Sequence, residues 1–356
     1  MALQTINIGS SANDGTGDTL RAAFDICNDN FAEIYDSTTA LPYRIEGTNF
    51  TGSLIIGHST VGTLSAATYN TALGLGAMDA ITQGDYNVVV GYNAGTAITT
   101  GSHNVLLGGK AGDSLTTGDQ NIAIGYEALQ YEDTDGRNIA IGHQSLNSLR
   151  AGADGYNIAI GYDAGVTMST GINNVLIGGQ AGDSLTSGSY NIAIGRLALA
   201  AEDADGYNIA IGYAALNTQN AGAAAYNVAV GHNAGTAITT GTNNVIVGGL
   251  AGDALTTGEY NIAIGRDALT TEDTGDRNVA IGYGALYNLN YDGAAYNVAV
   301  GHSAGSQMTT GTSNTLIGGL AGDALTDGNA NVAVGRGALS GETRGDRNVA
   351  IGYEAL

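Results

Sequence analysis

Residues 121–129 read NIAIGYEAL, and residues 348–356 read NVAIGYEAL, the same phrase with one Val for Ile. In N-I-A-I-G, large and small side chains alternate, which is the pattern of a strand with two unlike faces. The Gly that follows permits a corner that a Cβ would obstruct. The opening residue recurs as Asn70, Asn87, Asn104, Asn121, Asn138, Asn157, Asn174, Asn191, Asn208, Asn227, Asn244, Asn261, Asn278, Asn297, Asn314, Asn331 and Asn348. From Asn87 the steps run 17, 17, 17 and 19, three times over, so four phrases make one superunit. SLIIG at 53–57 is an earlier copy with Ser53 in place of Asn.

The chemistry is fixed by position within the phrase. The fifth residue is always Gly, as in Gly125 and Gly195, the third is usually Ala, and the eighth is nearly always Ala. A second apolar segment follows in one of two ways. Either Ala-Gly is followed three residues later by Ile98, Leu115, Ile238 or Leu255, or Leu stands ninth, as in Leu129, Leu146, Leu199 and Leu216. A unit with two short apolar segments and two turns cannot bury a core alone and must stack on its neighbours.

The predicted fold is therefore all-β, a parallel β-solenoid (β-roll) of about 18 coils over residues 53–356. At a strand spacing of about 4.8 Å it makes a rod roughly 85 Å long. Asn87, Asn104, Asn121, Asn138, Asn157, Asn174, Asn191 and Asn208, with Gly125 and Gly195, are its expected structural ladder. In that reading the stacked amides satisfy one another; in the plainer alternative each Asn merely starts a strand after a turn. A coil this thin fills only one of its two apolar faces. An Ala-rich face would let another chain approach closely, so the pattern predicts an oligomer, a trimer around a fibre axis.

Residues 1–52 differ. They predict an attachment and oligomerisation region with a helix over about 19–35, N-capped by Asp18. Leu20, Phe24, Cys27, Phe31 and Ile34 are spaced 4, 3, 4 and 3, the seam of a short helical bundle between chains. An amphipathic helix folded onto its own domain is the alternative. Cys27 is the single Cys, which excludes an intrachain disulfide.

Composition bounds the function. Against 33 acidic residues stand 11 basic ones, a net charge of −22, which disfavours nucleic acid as a partner. No Lys/Arg-rich start precedes an apolar run, and no apolar stretch is long enough to span a bilayer, so neither a signal peptide nor membrane insertion is expected. Synthesis in the cytoplasm follows.

Two stretches carry resemblances. INIGSSANDGTGDTLRAAFDICNDNFAEIY near the start resembles a segment common near the beginning of structural proteins of tailed bacteriophages. NIAIGYEAL and its copies resemble the head repeats of YadA-like trimeric adhesins, left-handed parallel β-rolls set three side by side. The coils here are longer than that repeat, and neither neck nor membrane anchor is found. Together the resemblances imply a virion fibre or spike protein made in the host cytoplasm. Virion proteins would be its partners at the N-terminal end, and a host surface glycan or protein would be met toward the C-terminus. Because the chain stops within a coil on NVAIGYEAL, its end is expected to dock on a distal tip protein or to lack a C-terminal tip domain.

Several motifs tempt a chemical reading. Asp113, Asp183, Asp253 and Asp323, in Gly-Gly-x-Ala-Gly-Asp, lie four coils apart, too far to share a calcium ion that needs six to eight oxygens at about 2.4 Å; they read as turn residues. The acidic stretches YEDTDG (131–136), AEDADG (201–206) and TEDTGD (271–276) drift to GETRGD (341–346). A catalytic carboxylate pair would occur once, so these read as solvated turns. Arg344-Gly345-Asp346 reads as drift within such a turn. His58, His103, His143, His232 and His302 form no chelating set. Tyr columns could bind sugars or simply stack. Thr pairs such as Thr99-Thr100 suit an ice-binding array, but only half the coils carry them. No catalytic residue, cofactor or metal is expected. The leading function is a rigid trimeric shaft that projects a host-contact region; the alternative is an adhesin whose roll itself binds host glycan.

Overall fold

The computed structural model describes residues 43–47, 50–57, 65–134, 136–204 and 206–356. The expected helix over 19–35 and its seam of Leu20, Phe24, Cys27, Phe31 and Ile34 lie outside these residues.

The described chain is a parallel β-solenoid. Its strands are β1 (Tyr43–Gly47), β2 (Phe50–Ile56) and then β3 (Thr71–Leu73) through β19 (Val349–Ile351), each of the latter three residues long. Among the described residues they form one sheet. From β2 onward each strand pairs in parallel with the next and without slippage: Ile122 lies opposite Ile139, Ala123 opposite Ala140 and Ile124 opposite Ile141. The constant phrase thus becomes columns of like residues. β1 runs antiparallel to β2, with Tyr43 opposite Ile56, and so covers the open edge of the first coil, where an unpaired strand would otherwise invite association.

Only three residues per coil are extended, and the rest is turn. The turns close tightly because positions 7 and 9, counting Asn as 1, and the residue before the next Asn adopt left-handed conformations. In the coil opened by Asn121 these are Glu127 (φ 57°), Leu129 (φ 52°) and Arg137 (φ 63°). A non-glycine residue there costs roughly 1 kcal/mol, which stacking must offset. The same geometry explains the two placements of the second apolar segment. Position 9 is always the left-handed corner. Where it is Leu, that side chain fills the tube; where it is Gly, position 12 and a large position 3 of the same or the next coil fill it. A Cβ on Gly95 would lie 2.7 Å from Ile98 Cδ1 and 2.8 Å from Leu106 Cδ1.

The core is a single column-built cluster that includes Ala123, Ala128, Leu129, Ala140, Leu146 and Leu149, all fully buried. This corrects the expectation that the Ala face would meet another chain. So short a coil leaves little room behind its strand, and the small side chains of positions 3 and 8 turn inward. The bulky Ile and Val of positions 2 and 4 turn outward, where Ile122 and Ile124 are half-buried.

Candidate interaction face

The Asn column lies inside up to its half-buried last member, Asn348: Asn87, Asn104, Asn121, Asn138, Asn157, Asn174, Asn191 and Asn208 are fully buried. Each amide oxygen accepts the main-chain N–H of the next Asn, as from Asn87 to Asn70 at 2.9 Å and from Asn104 to Asn87 at 2.9 Å. In most coils the amide nitrogen turns back on its own coil: Asn87 Nδ2 donates to the Gly101 carbonyl at 2.8 Å, and Asn157 Nδ2 to Gly171 at 2.9 Å; Asn138 and Asn278, which open longer coils, donate instead to Gly136 and Asp276 just before them. One side chain thus bridges to the next coil and closes its own. Gly125 and Gly195 form the adjoining corner column, donating to Leu107 and Ile177 carbonyls of the preceding coil at 2.8 and 2.7 Å. Gly125 has φ +137°, and a Cβ on it would lie 2.3 Å from the Gly142 oxygen.

A second ladder, unseen in the sequence, runs at position 16. The Asp85 carboxylate accepts the Thr68 N–H at 2.6 Å, Asp119 accepts Ser102 at 2.7 Å, and Asp276 accepts Glu259 at 2.7 Å. Some acidic side chains therefore serve the backbone of the coil before them. Asp346 of the Arg-Gly-Asp triplet is one, bound by the Asn329 N–H at 2.7 Å, while Arg344 reaches Asp327 at 3.6 Å.

The acidic stretches are not simply solvated turns. Glu132, Glu202 and Glu272 are fully buried, because each occupies position 12, where other coils carry Ile98, Leu115 or Leu149. The Glu272 carboxylate is held by the Gly275 N–H at 2.7 Å and by the Tyr291 N–H of the following, longer coil at 3.3 Å. Burial is the main reason its pKa is pushed up to about 7. Glu342 makes the same turn at half-burial, and the Arg344 and Gly345 amides hold its carboxyl below the usual range. The signal was in the sequence: aligned by phrase, Glu falls in a column of core residues.

The other candidates also resolve into inter-coil structure. Asp183 is half-buried, and its burial raises its pKa. Asp253 bonds the Thr270 hydroxyl. The first Thr of each pair spends its hydroxyl on the next coil, as Thr99 does on the Thr116 carbonyl at 3.2 Å; the second, such as Thr100, is exposed in every pair among the described residues. His143 meets Asp163 at 3.3 Å. No group of three or more metal-ligating side chains converges among the described residues.

What remains outward is one long face. The outward Ile and Val of positions 2 and 4 run along its middle. Position 6 flanks it on one side and the residue preceding Asn on the other. Across the coils opened by Asn70 to Asn348, none of these four positions is acidic, while Arg137, Arg277, Arg347, Arg196, Arg266 and Arg336 all stand in the flanks. In a chain of net charge −22 this is a marked segregation. The flanking rings stack along the rod: Tyr126, His143 and Tyr162 at 5.8 and 5.2 Å between centroids, and Tyr190, Tyr207 and Tyr226 at 5.1 Å. Stacking covers the ring faces and leaves edges exposed. No family model, curated protein or solved structure matches the chain.

Proposed function

We propose that the chain is the shaft of a homotrimeric fibre, a virion structural protein in which three solenoids lie parallel with their acid-free faces toward a common axis. The observation that carries this reading is the apolar middle of that face. A stripe about 80 Å long and about 10 Å wide presents roughly 800 Å², what one partner contributes to a standard interface. That exceeds the largest apolar patch of a typical monomer. The like-charged remainder of each chain would then point outward to solvent.

Assignment to a phage fibre, with an N-terminal end on the virion and a host-contact end beyond the shaft, rests on the resemblance of the first segment and of the repeat phrase. A non-catalytic role is supported by the carboxylates themselves. Glu272, whose pKa near 7 would suit proton transfer, is buried among main-chain amides, where no substrate reaches it. The test is molar mass in solution by light scattering. A mass three times the 35.7 kDa of one chain is expected; the mass of a single chain would overturn the trimer.

A further inference from the structure

The flanking columns are interrupted at one place in each four-coil unit. From Asn87 onward position 6 is Tyr, His or Arg in three coils of every four, and Gly109, Gly179, Gly249 and Gly319 recur in the fourth, one to a unit. Backbone geometry does not demand glycine at the last three. None has a left-handed φ, and a Cβ would meet nothing nearer than the Tyr162, His232 and His302 carbonyl oxygens at 3.9, 4.0 and 3.9 Å. In the same coils the opposite flank is small as well: Asn173, Asn243 and Ser313 stand where Tyr is commonest.

Each gap is a notch one coil high. Below it stands a ring, Tyr162, His232 or His302, and above it a guanidinium, Arg196, Arg266 or Arg336. Two strand spacings, about 9.6 Å, separate the walls, which leaves room for one ring in van der Waals contact with both. At these breaks the stacked columns present ring faces rather than edges. Arg196 lies over Tyr213 at 6.0 Å, and Arg336 lies over Tyr353 at 5.6 Å and donates to its hydroxyl at 3.1 Å, so each is held to the column on the side away from the notch. The neighbouring position 7 is uncharged, being Gln180, Leu250 or Leu320.

We propose that these notches each bind one acidic sugar ring, a hexuronate or sialic-acid residue of a surface polysaccharide, its apolar face on the aromatic wall and its carboxylate on the Arg. The pairing follows from ring–face contact and charge-assisted hydrogen bonding. The repeat would make the rod multivalent, with sites about 19 Å apart. Arg266 also pairs with Asp267 at 3.3 Å, which makes the Gly249 notch the weakest. The inference rests on the proposed trimer in one respect only. Three-fold symmetry sets equivalent coils at one height, so the Gly flank of one copy meets the small Asn173, Asn243 or Ser313 flank of the next and no bulky side chain fills the notch.

The test is calorimetric titration of the whole chain with a galacturonate octamer, a sialic-acid octamer and a carboxyl-reduced, neutral galacturonate octamer. Both acidic octamers are expected to bind and the neutral one to fail. Gly179→Tyr, Gly249→Tyr and Gly319→Tyr together should fill the notches, keep the circular dichroism of the native rod, and weaken binding by about tenfold or more. Should that variant misfold, Arg196→Gln with Arg336→Gln decides by the same loss. Absence of binding to the native chain, equal binding of the neutral octamer, or unchanged binding by these variants would overturn the proposal. Light scattering on the same samples separates the two readings. Binding by a species of single-chain mass removes the trimer and leaves the notches, whereas a three-chain species that binds nothing removes the notches alone.

Discussion

The Asn157 amide oxygen accepts the main-chain N–H of Asn174 at 3.0 Å, while its amide nitrogen donates to the Gly171 carbonyl at 2.9 Å. Both bonds are buried, so removing them strands a donor and an acceptor. Asn157→Ala is expected to destabilise the rod by about 3 kcal/mol in chemical denaturation. Asn157→Ser should lose roughly half as much, because a hydroxyl can still accept: Ser53 takes the Asn70 N–H at 2.8 Å. Equal losses for Ala and Ser would show that the inter-coil bond contributes nothing.

Two glycine columns, one position apart, should answer differently. Gly195 has φ +135°, and a Cβ on it would meet the Gly212 oxygen at 2.3 Å. Gly195→Ala is expected to cost more than about 3 kcal/mol or to prevent folding. Gly249→Ala, with open space for its methyl, should shift the apparent Tm by no more than a degree or two, on the order of an ordinary surface change.

The buried carboxyl of Glu272 ties stability to pH. Its folded pKa of about 7 exceeds the ordinary 4.5, so between these values the folded state holds a proton that the unfolded state has released. Stability is greatest below about pH 4.5 for this group and falls as pH rises through 7, by about 3 kcal/mol at most. The native rod should melt at lower temperature at pH 8 than at pH 5. Glu272→Gln should raise the pH 8 value and flatten the profile; an unchanged slope would assign the pH dependence to the net charge of −22 instead.

Charge placed on the outward face tests the assembly. Ile194 and Ile264 are half-buried in the isolated chain and would sit at the centre of a three-chain contact. Ile194→Asp with Ile264→Asp should reduce the mass in solution from that of three chains to that of one while leaving the circular dichroism unchanged. A mass that does not change would place the contact elsewhere.

Much of the fold was legible because a repeat states its own alignment. The spacing of Asn70 to Asn348 gave the coil, the parallel register and the stacking direction. Which face lay inward was not legible, since Ile-Ala-Ile alternation is symmetric until the width of the tube is known. Glu272 was misread because acids were judged by their loop composition rather than by their column. The position-16 ladder was hidden because Asp, Ser and Asn all serve it, as in Asp85, Ser102 and Asn329. The notches were visible as Gly179, Gly249 and Gly319, but only the stacked rings beside them show that a ring is missing.

The unshifted register governs how such a rod can change length. The 19-residue coils absorb two extra residues in a turn with the Asn157 N–H still on Asn138, but an insertion within a strand would throw that coil's side chains out of their columns, whereas inserting a whole four-coil unit disturbs none of them. The molecule can therefore be lengthened or shortened in increments of about 19 Å, each carrying one buried Glu and one notch with it. Reach and valency grow together by counting units, with no new sequence to be invented.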